Sequence, residues 1–306
     1  MTTYIIRRIL MVIPVLLGVS LLTFGIAKLT PGDPAHLMLG NYATPARIAE
    51  LHEKLHLDDP VLVQFGRFVW NAMHGDFGTS YRGQKDVLTS IMSRFPSTAE
   101  LALTGTIIAM FTGIPLGMLA AWKHGTFFDR AIMVLSISVL SIPVFWLAIL
   151  LLYVFGVWLG WVSVTNSQGF SALILPAACL ALSPSATLIR MTRSSILETL
   201  TEDYVRTARS KGLKEQMVMA RHVLRNAMIP IITLLGLMVG GLLTGAVFIE
   251  SVFARSGLGR FIIQAIAARD YPEVQGSVLF TATVIVTLNL LVDLLYAVID
   301  PRIRYV

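Results

Sequence analysis

Long uninterrupted runs of apolar residues, rather than an alternating or helical-face pattern, dominate this chain. The first run covers Ile9–Ala27, behind Arg7 and Arg8. Others follow at about 99–122, 131–159, 172–190, 228–253 and 276–299. About 20 helical residues cross a bilayer core, so each run predicts a transmembrane helix, about six in all. Between Ala131 and Ile189 there is no Asp, Glu, Lys or Arg. Pro143, Pro176 and Pro184 fall inside these spans, where neighbouring groups re-satisfy the backbone. The apolar region of a signal peptide has only about 7–15 residues and ends at a cleavage site of small residues. Ile9–Ala27 is longer and leads into Lys28-Leu29-Thr30-Pro31-Gly32-Asp33-Pro34, so a retained helix is expected.

The fold class expected is an all-α integral membrane protein. Three regions follow: residues 1–29 as a start and first span, a polar segment 30–98 with short helices, and a five-helix core over 99–306. Composition agrees. Charged residues make up 14% of the chain, where a soluble domain has about 25%. The single Cys179 precludes an internal disulfide.

A net charge of +6 raises the question of nucleic acid, and its distribution answers it. With the N-terminus inside, the inner segments hold 14 of the 24 basic residues against six acids, while the outer segments hold ten against eleven. Cytoplasmic loops of membrane proteins collect Lys and Arg, so both termini are expected in the cytoplasm and no nucleic acid is needed.

The most informative polar stretch is Glu202-Asp203-Tyr204-Val205-Arg206-Thr207-Ala208-Arg209-Ser210-Lys211-Gly212. Leu197, Leu200, Tyr204 and Ala208 recur at spacings of three and four, which draws one helical face. Glu202 and Asp203 suit a first turn, Arg209 and Lys211 a last turn, and Gly212 a C-terminal cap. The result is an amphipathic helix over about 197–212 outside the membrane. Two surfaces fit it: anionic lipid headgroups, because it is basic, and a protein, because Thr207 and Ala208 are small and permit close approach.

Arg206-Thr207-Ala208, three residues and then Gly212 resemble the cytoplasmic loop motif of ABC-importer permeases, Glu-Ala-Ala-x-x-x-Gly, in the form used by the peptide and nickel branch. Leu224-Arg225-Asn226-Ala227-Met228-Ile229-Pro230 is similar to the proline segment that follows in that branch. So are Ile13-Pro14, Pro31-Gly32-Asp33-Pro34, Gly75-Asp76-Phe77-Gly78, Arg190-Met191-Thr192-Arg193, Arg269-Asp270-Tyr271-Pro272 and Asp300-Pro301-Arg302-Ile303-Arg304. Ala254-Arg255-Ser256-Gly257-Leu258-Gly259 departs from it at Ser256, where the family usually has proline. The long segment after the first span resembles the first permease of the pair such systems contain.

The resemblance implies a type I importer permease in a bacterial inner membrane, importing peptides, with a dipeptide first and nickel or glutathione as alternatives. It implies a second homologous permease, two ATP-binding subunits and an extracytoplasmic solute-binding protein as partners. It implies further that Tyr204, Arg206, Thr207, Ala208 and Gly212 meet the ATPase. No Gly-x-x-x-x-Gly-Lys-Ser/Thr loop occurs here, so no cofactor is expected in this chain; ATP and Mg²⁺ belong to the partner subunits. Arg255, Arg260 and Arg269 are candidates to meet an acidic rim of the binding protein.

Four further sets of residues have a chemical reading. Asn289 and Asp293 share a face of the last span, and an intramembrane acid is a functional candidate. Helix–helix pairing near the polar end, with Arg190 or Arg193, is the preferred role for Asp293. Ser138 and Ser141, with Ser136, fit a path lining or, preferably, helix packing. His52-Glu53-Lys54-Leu55-His56 spells His-Glu-x-x-His, the zinc motif of metalloproteases, but no third ligand is evident and no metal is expected. A secondary transporter would need ion sites at the bilayer middle, against which the nearly charge-free spans argue.

Overall fold

The computed structural model describes residues 2–29, 32–162 and 171–299. The Asp300–Arg304 motif, Thr30-Pro31 and most of the break at 160–171 lie outside the described residues. The described residues are helical, with a single isolated bridge between Thr79 and Asp86.

The order is α1 (Thr2–Leu29), α2 (Pro34–Leu39), a 3-10 turn Gly40–Tyr42, α3 (Pro45–Leu55) and α4 (Val61–Met73). Then come α5 (Val87–Trp122), α6 (Phe127–Ser141), α7 (Val144–Leu151), which runs on as a π-helical stretch Leu152–Trp158, and α8 (Ser171–Leu200). The chain ends with α9 (Asp203–Ser210), α10 (Glu215–Met217) leading into a π-helical Val218–Val223, α11 (Leu224–Val252), α12 (Leu258–Ala268) and α13 (Tyr271–Ile299).

Five stretches are long and apolar enough to span a bilayer: Ile6–Leu29, Val87–Trp122, Ala172–Leu200, Glu215–Val252 and Tyr271–Leu294. α6 and α7 with its extension are two apolar pieces bent by 104°, a sixth span where the two are counted as one. The run 131–159, which reads as one span, is therefore broken. Pro143 has no N–H to give and disfavours helical geometry in Ile142, whose ψ is 127°. Two spans are also longer than their apolar runs. α5 starts twelve residues before the run at 99, and α8 continues ten beyond Arg190. A helix satisfies its own backbone, so its polar turns need no change of conformation where the apolar stretch stops.

The chain forms two compact units, residues 1–97 with 256–306, and residues 98–255. In the first, α1 packs on α13 and α4, and α12 packs on α13. Val87, Ile91, Leu258 and Phe261 form its buried core. Buried Asp270 accepts hydrogen bonds from Ser80 Oγ (2.6 Å) and the Arg82 N–H (3.1 Å), fastening the 78–86 loop to the start of α13.

In the second unit α8 lies at the centre, against α6, α7 and α11. Glycines set its approach to α5. A Cβ on Gly113 would stand 2.6 Å from Leu188 Cβ, and one on Gly117 2.6 Å from Thr192 Cβ. Lipid gives helices no hydrophobic reason to associate, so the contact relies on such close backbone packing.

Candidate functional site

The segment that the sequence marks for docking begins where α8 ends at Leu200. Thr201 and Glu202 turn the chain, and Glu202, in extended geometry (ψ 144°), starts α9 without a side-chain cap. The helix expected over 197–212 is thus two pieces meeting at a corner. Arg209 and Glu215 brace its far end, with Nη2 to Oε1 at 2.6 Å and Nε to Oε2 at 3.2 Å. That carboxylate raises the Arg209 pKa above its ordinary value. Gly212 has φ +75°, the left-handed geometry that favours glycine, and its N–H donates to the Arg209 carbonyl at 2.9 Å.

α9 has a sharply divided surface. Val205 and Ala208 are buried with Ile196, Val218, Val223 and Ala227, and Leu197 and Leu200 at the end of α8 pack on the same cluster. Tyr204, Arg206, Thr207 and Arg209 are exposed. The Tyr204 hydroxyl accepts a hydrogen bond from Asn226 Nδ2 at 3.0 Å. Ala208 therefore faces its own chain, and Thr207 stands on the open side with its hydroxyl turned back to the Asp203 carbonyl (2.9 Å). Sequence reasoning missed Val205, which is fully buried. A cluster supplied by residues 218–227 gives no local signal at position 205.

A further ion pair joins α6 to α8, earlier in the chain than this segment. On α6, Asp129 accepts from Arg193 Nε (2.6 Å) and Nη2 (2.9 Å) of α8 and from the Gly125 N–H (3.0 Å). His124 Nδ1 lies 3.2 Å from the same carboxylate. The Asp129 side chain is only 4% exposed, and nothing in the local pattern of the sequence singled it out.

The other candidates are placed as follows. Asp293 pairs with Arg8 of α1 at 2.8 Å, in place of the expected Arg190 or Arg193. Asn289 lies one turn earlier on α13 and is half-buried. Ser138 and Ser141 are exposed on α6, each donating to the carbonyl four residues back at 3.0 Å, and Ser136 is buried. Arg255 is buried and bonded to Glu100 at 2.5 Å, so its charge is held in a pair. Arg260 is half-buried and lines a polar cleft of about 750 Å³ with Lys85, Arg94 and Gln264; Arg269 is exposed at the end of α12.

The two histidines of the zinc-like motif do not converge. α3 stops at Leu55, and His56 follows in left-handed geometry (φ 53°). Both ring nitrogens of His52 meet carboxylates, Nδ1 with Asp58 at 3.0 Å and Nε2 with Asp33 at 3.0 Å. Among the described residues no three His, Cys, Asp or Glu gather as a metal site. The hydrogen bonds to Asp58 and then Asp33 raise the His52 pKa above 6.5. A raised value means that this contact is fully present below pH 6.5 and is lost as pH rises through the folded pKa. The expected NMR titration of His52 is displaced upward, and Asp58→Asn moves it back toward 6.5. An unchanged midpoint in that variant would contradict this geometry.

Residues 1–102 match the N-terminal family of binding-protein-dependent transport system membrane components, and residues 113–305 match the binding-protein-dependent transport system inner membrane component family. The chain is 41% identical to the dipeptide transport system permease DppB of Escherichia coli K12, over 100% of this chain and 99% of that protein. It is 40% identical to DppB of Alkalihalophilus pseudofirmus and 44% to a putative peptide transport system permease of Brucella abortus strain 2308, each over the full length of both chains. Its fold resembles a chain of the MetNI methionine ABC transporter in inward-facing form, with TM-score 0.53, 18% identity and coverage of 68% of this chain and 94% of that one. An amino acid ABC transporter with histidines gives TM-score 0.51, again at 18% identity, covering 70% and 94%.

Proposed function

This chain belongs to the binding-protein-dependent transport system inner membrane component family, and from that premise we propose that it forms half of the translocation path of a peptide importer, with a dipeptide as cargo. Family membership makes it a multi-pass protein of the inner membrane, a permease rather than an enzyme. Its energy comes from separate ATPase subunits, and a binding-protein component works with it. The observation that carries the peptide assignment is end-to-end identity of 40–41% with dipeptide permeases, with neither chain leaving a domain unmatched.

In this reading both termini are cytoplasmic, and the open face of α9, built from Tyr204, Arg206 and Thr207, seats in a groove of an ATP-binding subunit. Val205 and Ala208 fix α9 to Val218 and Val223 of the π-helical stretch and to Ala227 in the first turn of α11. A push on the helix therefore reaches a span without passing through a flexible linker. Two ATP-binding subunits carry ATP and Mg²⁺, a second homologous permease completes the path, and a solute-binding protein delivers the cargo.

Purification of the tagged chain in mild detergent is expected to bring with it a second permease and ATP-binding chains. Vesicles of that complex, supplied with the binding protein, are expected to accumulate radiolabelled dipeptide only with ATP inside. Accumulation of nickel or glutathione in its place would reassign the cargo within the family. Uptake driven by an ion gradient without ATP would overturn the reading.

A further inference from the structure

We propose that α4 dips into the membrane alongside α1, and that the cleft it forms with α1 and α13 holds an acyl chain of a bilayer phospholipid. The polar segment 30–98 reads as lying outside the membrane, yet α4 has three faces rather than two. Phe65 and Phe68 meet Phe24 of α1, Ala72 lines a cleft with the same helix, and helical spacing sets Gln64, Arg67 and Asn71 on a polar side. The third face is apolar and open: Leu62 is 83% exposed, Trp70 63% and Met73 75%. Water disfavours such a stripe, whereas a membrane's hydrocarbon accepts it.

The depth of α4 follows from α1. Phe24 packs on Phe65 and Phe68, with ring centroids 5.5 and 6.0 Å away. Phe24 is five residues from Leu29, so the contact lies about 8 Å inside the end of that span. Ser20, which lines the cleft with Val69 and Ala72, is nine residues from Leu29, so the far end of α4 reaches about 14 Å inside that end. The cleft opens onto a span that this chain leaves largely uncovered, since only 11% of the α1 window is buried.

The cleft has a volume of about 410 Å³ and is lined by Leu17, Ser20, Val69, Ala72, Leu279 and Thr283 among others. Its Ile13–Ser20 wall runs about 10 Å along α1. Both hydroxyls on it are satisfied within their own helices, Ser20 by the Leu16 carbonyl (2.7 Å) and Thr283 by the Leu279 carbonyl (2.8 Å). The walls ask for no hydrogen bond, which suits a hydrocarbon chain and not a peptide. Arg67 at the polar side is bonded to Asp59 (2.9 Å), so the recognition is apolar and does not select a headgroup.

The test uses the assembled transporter in vesicles containing phosphatidylethanolamine with a photoreactive diazirine in its acyl chain. After irradiation, peptide mapping is expected to find adducts on 16–20 and 69–73. Ala72→Trp fills the cleft and is expected to reduce those adducts roughly fivefold, since a packed wall leaves no room for a chain. Adducts at exposed Leu21 and Leu22 should persist and show that the variant is inserted. In a form whose other four tryptophans are phenylalanine, brominated lipid is expected to quench Trp70. Adducts at Leu21 and Leu22 with none in the cleft would overturn the proposal, as would cross-linking of 69–73 to a companion permease.

Discussion

Thr207→Glu is expected to leave ATP hydrolysis by the assembled complex running while peptide uptake collapses. Thr207 is exposed, so the new carboxylate meets no buried group of this chain and α9 still forms. In the proposed docking its cost falls on the contact with an ATP-binding subunit. A misplaced group at the centre of an interface costs about 2 kcal/mol or more, which is roughly 30-fold in occupancy. Ala208→Glu tests the inward face. Ala208 is 5% exposed among Val205, Val218 and Val223, and a charge there is expected to lower the amount of folded complex, with uptake and hydrolysis falling together. The measurement is uptake and phosphate release in the same vesicles. Uptake of Thr207→Glu equal to wild type would remove this face from the docking surface.

Asp129→Ala is expected to be among the most destabilising single changes in the chain. It strips the Arg193 guanidinium, only 22% exposed, of the acceptor for two hydrogen bonds. Breaking such a buried pair from one side costs about 3–5 kcal/mol, because the remaining charge stays desolvated. Asp129→Asn keeps an oxygen for Arg193 and is expected to lose less. The double change Asp129→Ala with Arg193→Leu, which removes both charges, is expected to recover part of the loss. The protein supplies its own reporter: Cys179, the sole cysteine, is buried, so a thiol-reactive fluorophore labels it on unfolding. Equal midpoints for Asp129→Ala and wild type would show that the pair carries no stability.

Whatever depends on continuous chemistry along the chain was legible in its sequence. Apolar length found the spans, because a bilayer demands that each backbone group be satisfied within its own segment. The residue pattern around Ala208 found a short helix outside the spans, down to the left-handed glycine at its end. Features that depend on what lies opposite were hidden. Asp293 meets Arg8, and the two are 285 positions apart in the numbering. Ala208 looked like part of a partner-facing surface because it is small, but small size serves an inward contact equally well. Hydropathy also passed over the Ile142–Pro143 corner, since both residues are apolar and only the missing proline N–H and the ψ of Ile142 mark the break.

That corner has a consequence for solvation. Where α6 stops, carbonyl groups of its last turn lose their intrahelical donors, and hydrocarbon offers none in return. Irregular backbone at membrane depth is tolerated against protein or water, not against lipid tails. The 104° corner, with the Ser138 and Ser141 hydroxyls on the turns before it, therefore marks a wet or protein-covered side of this span. Amide deuterium exchange near Ile142 would read that hydration directly, at a depth where the other spans are dry.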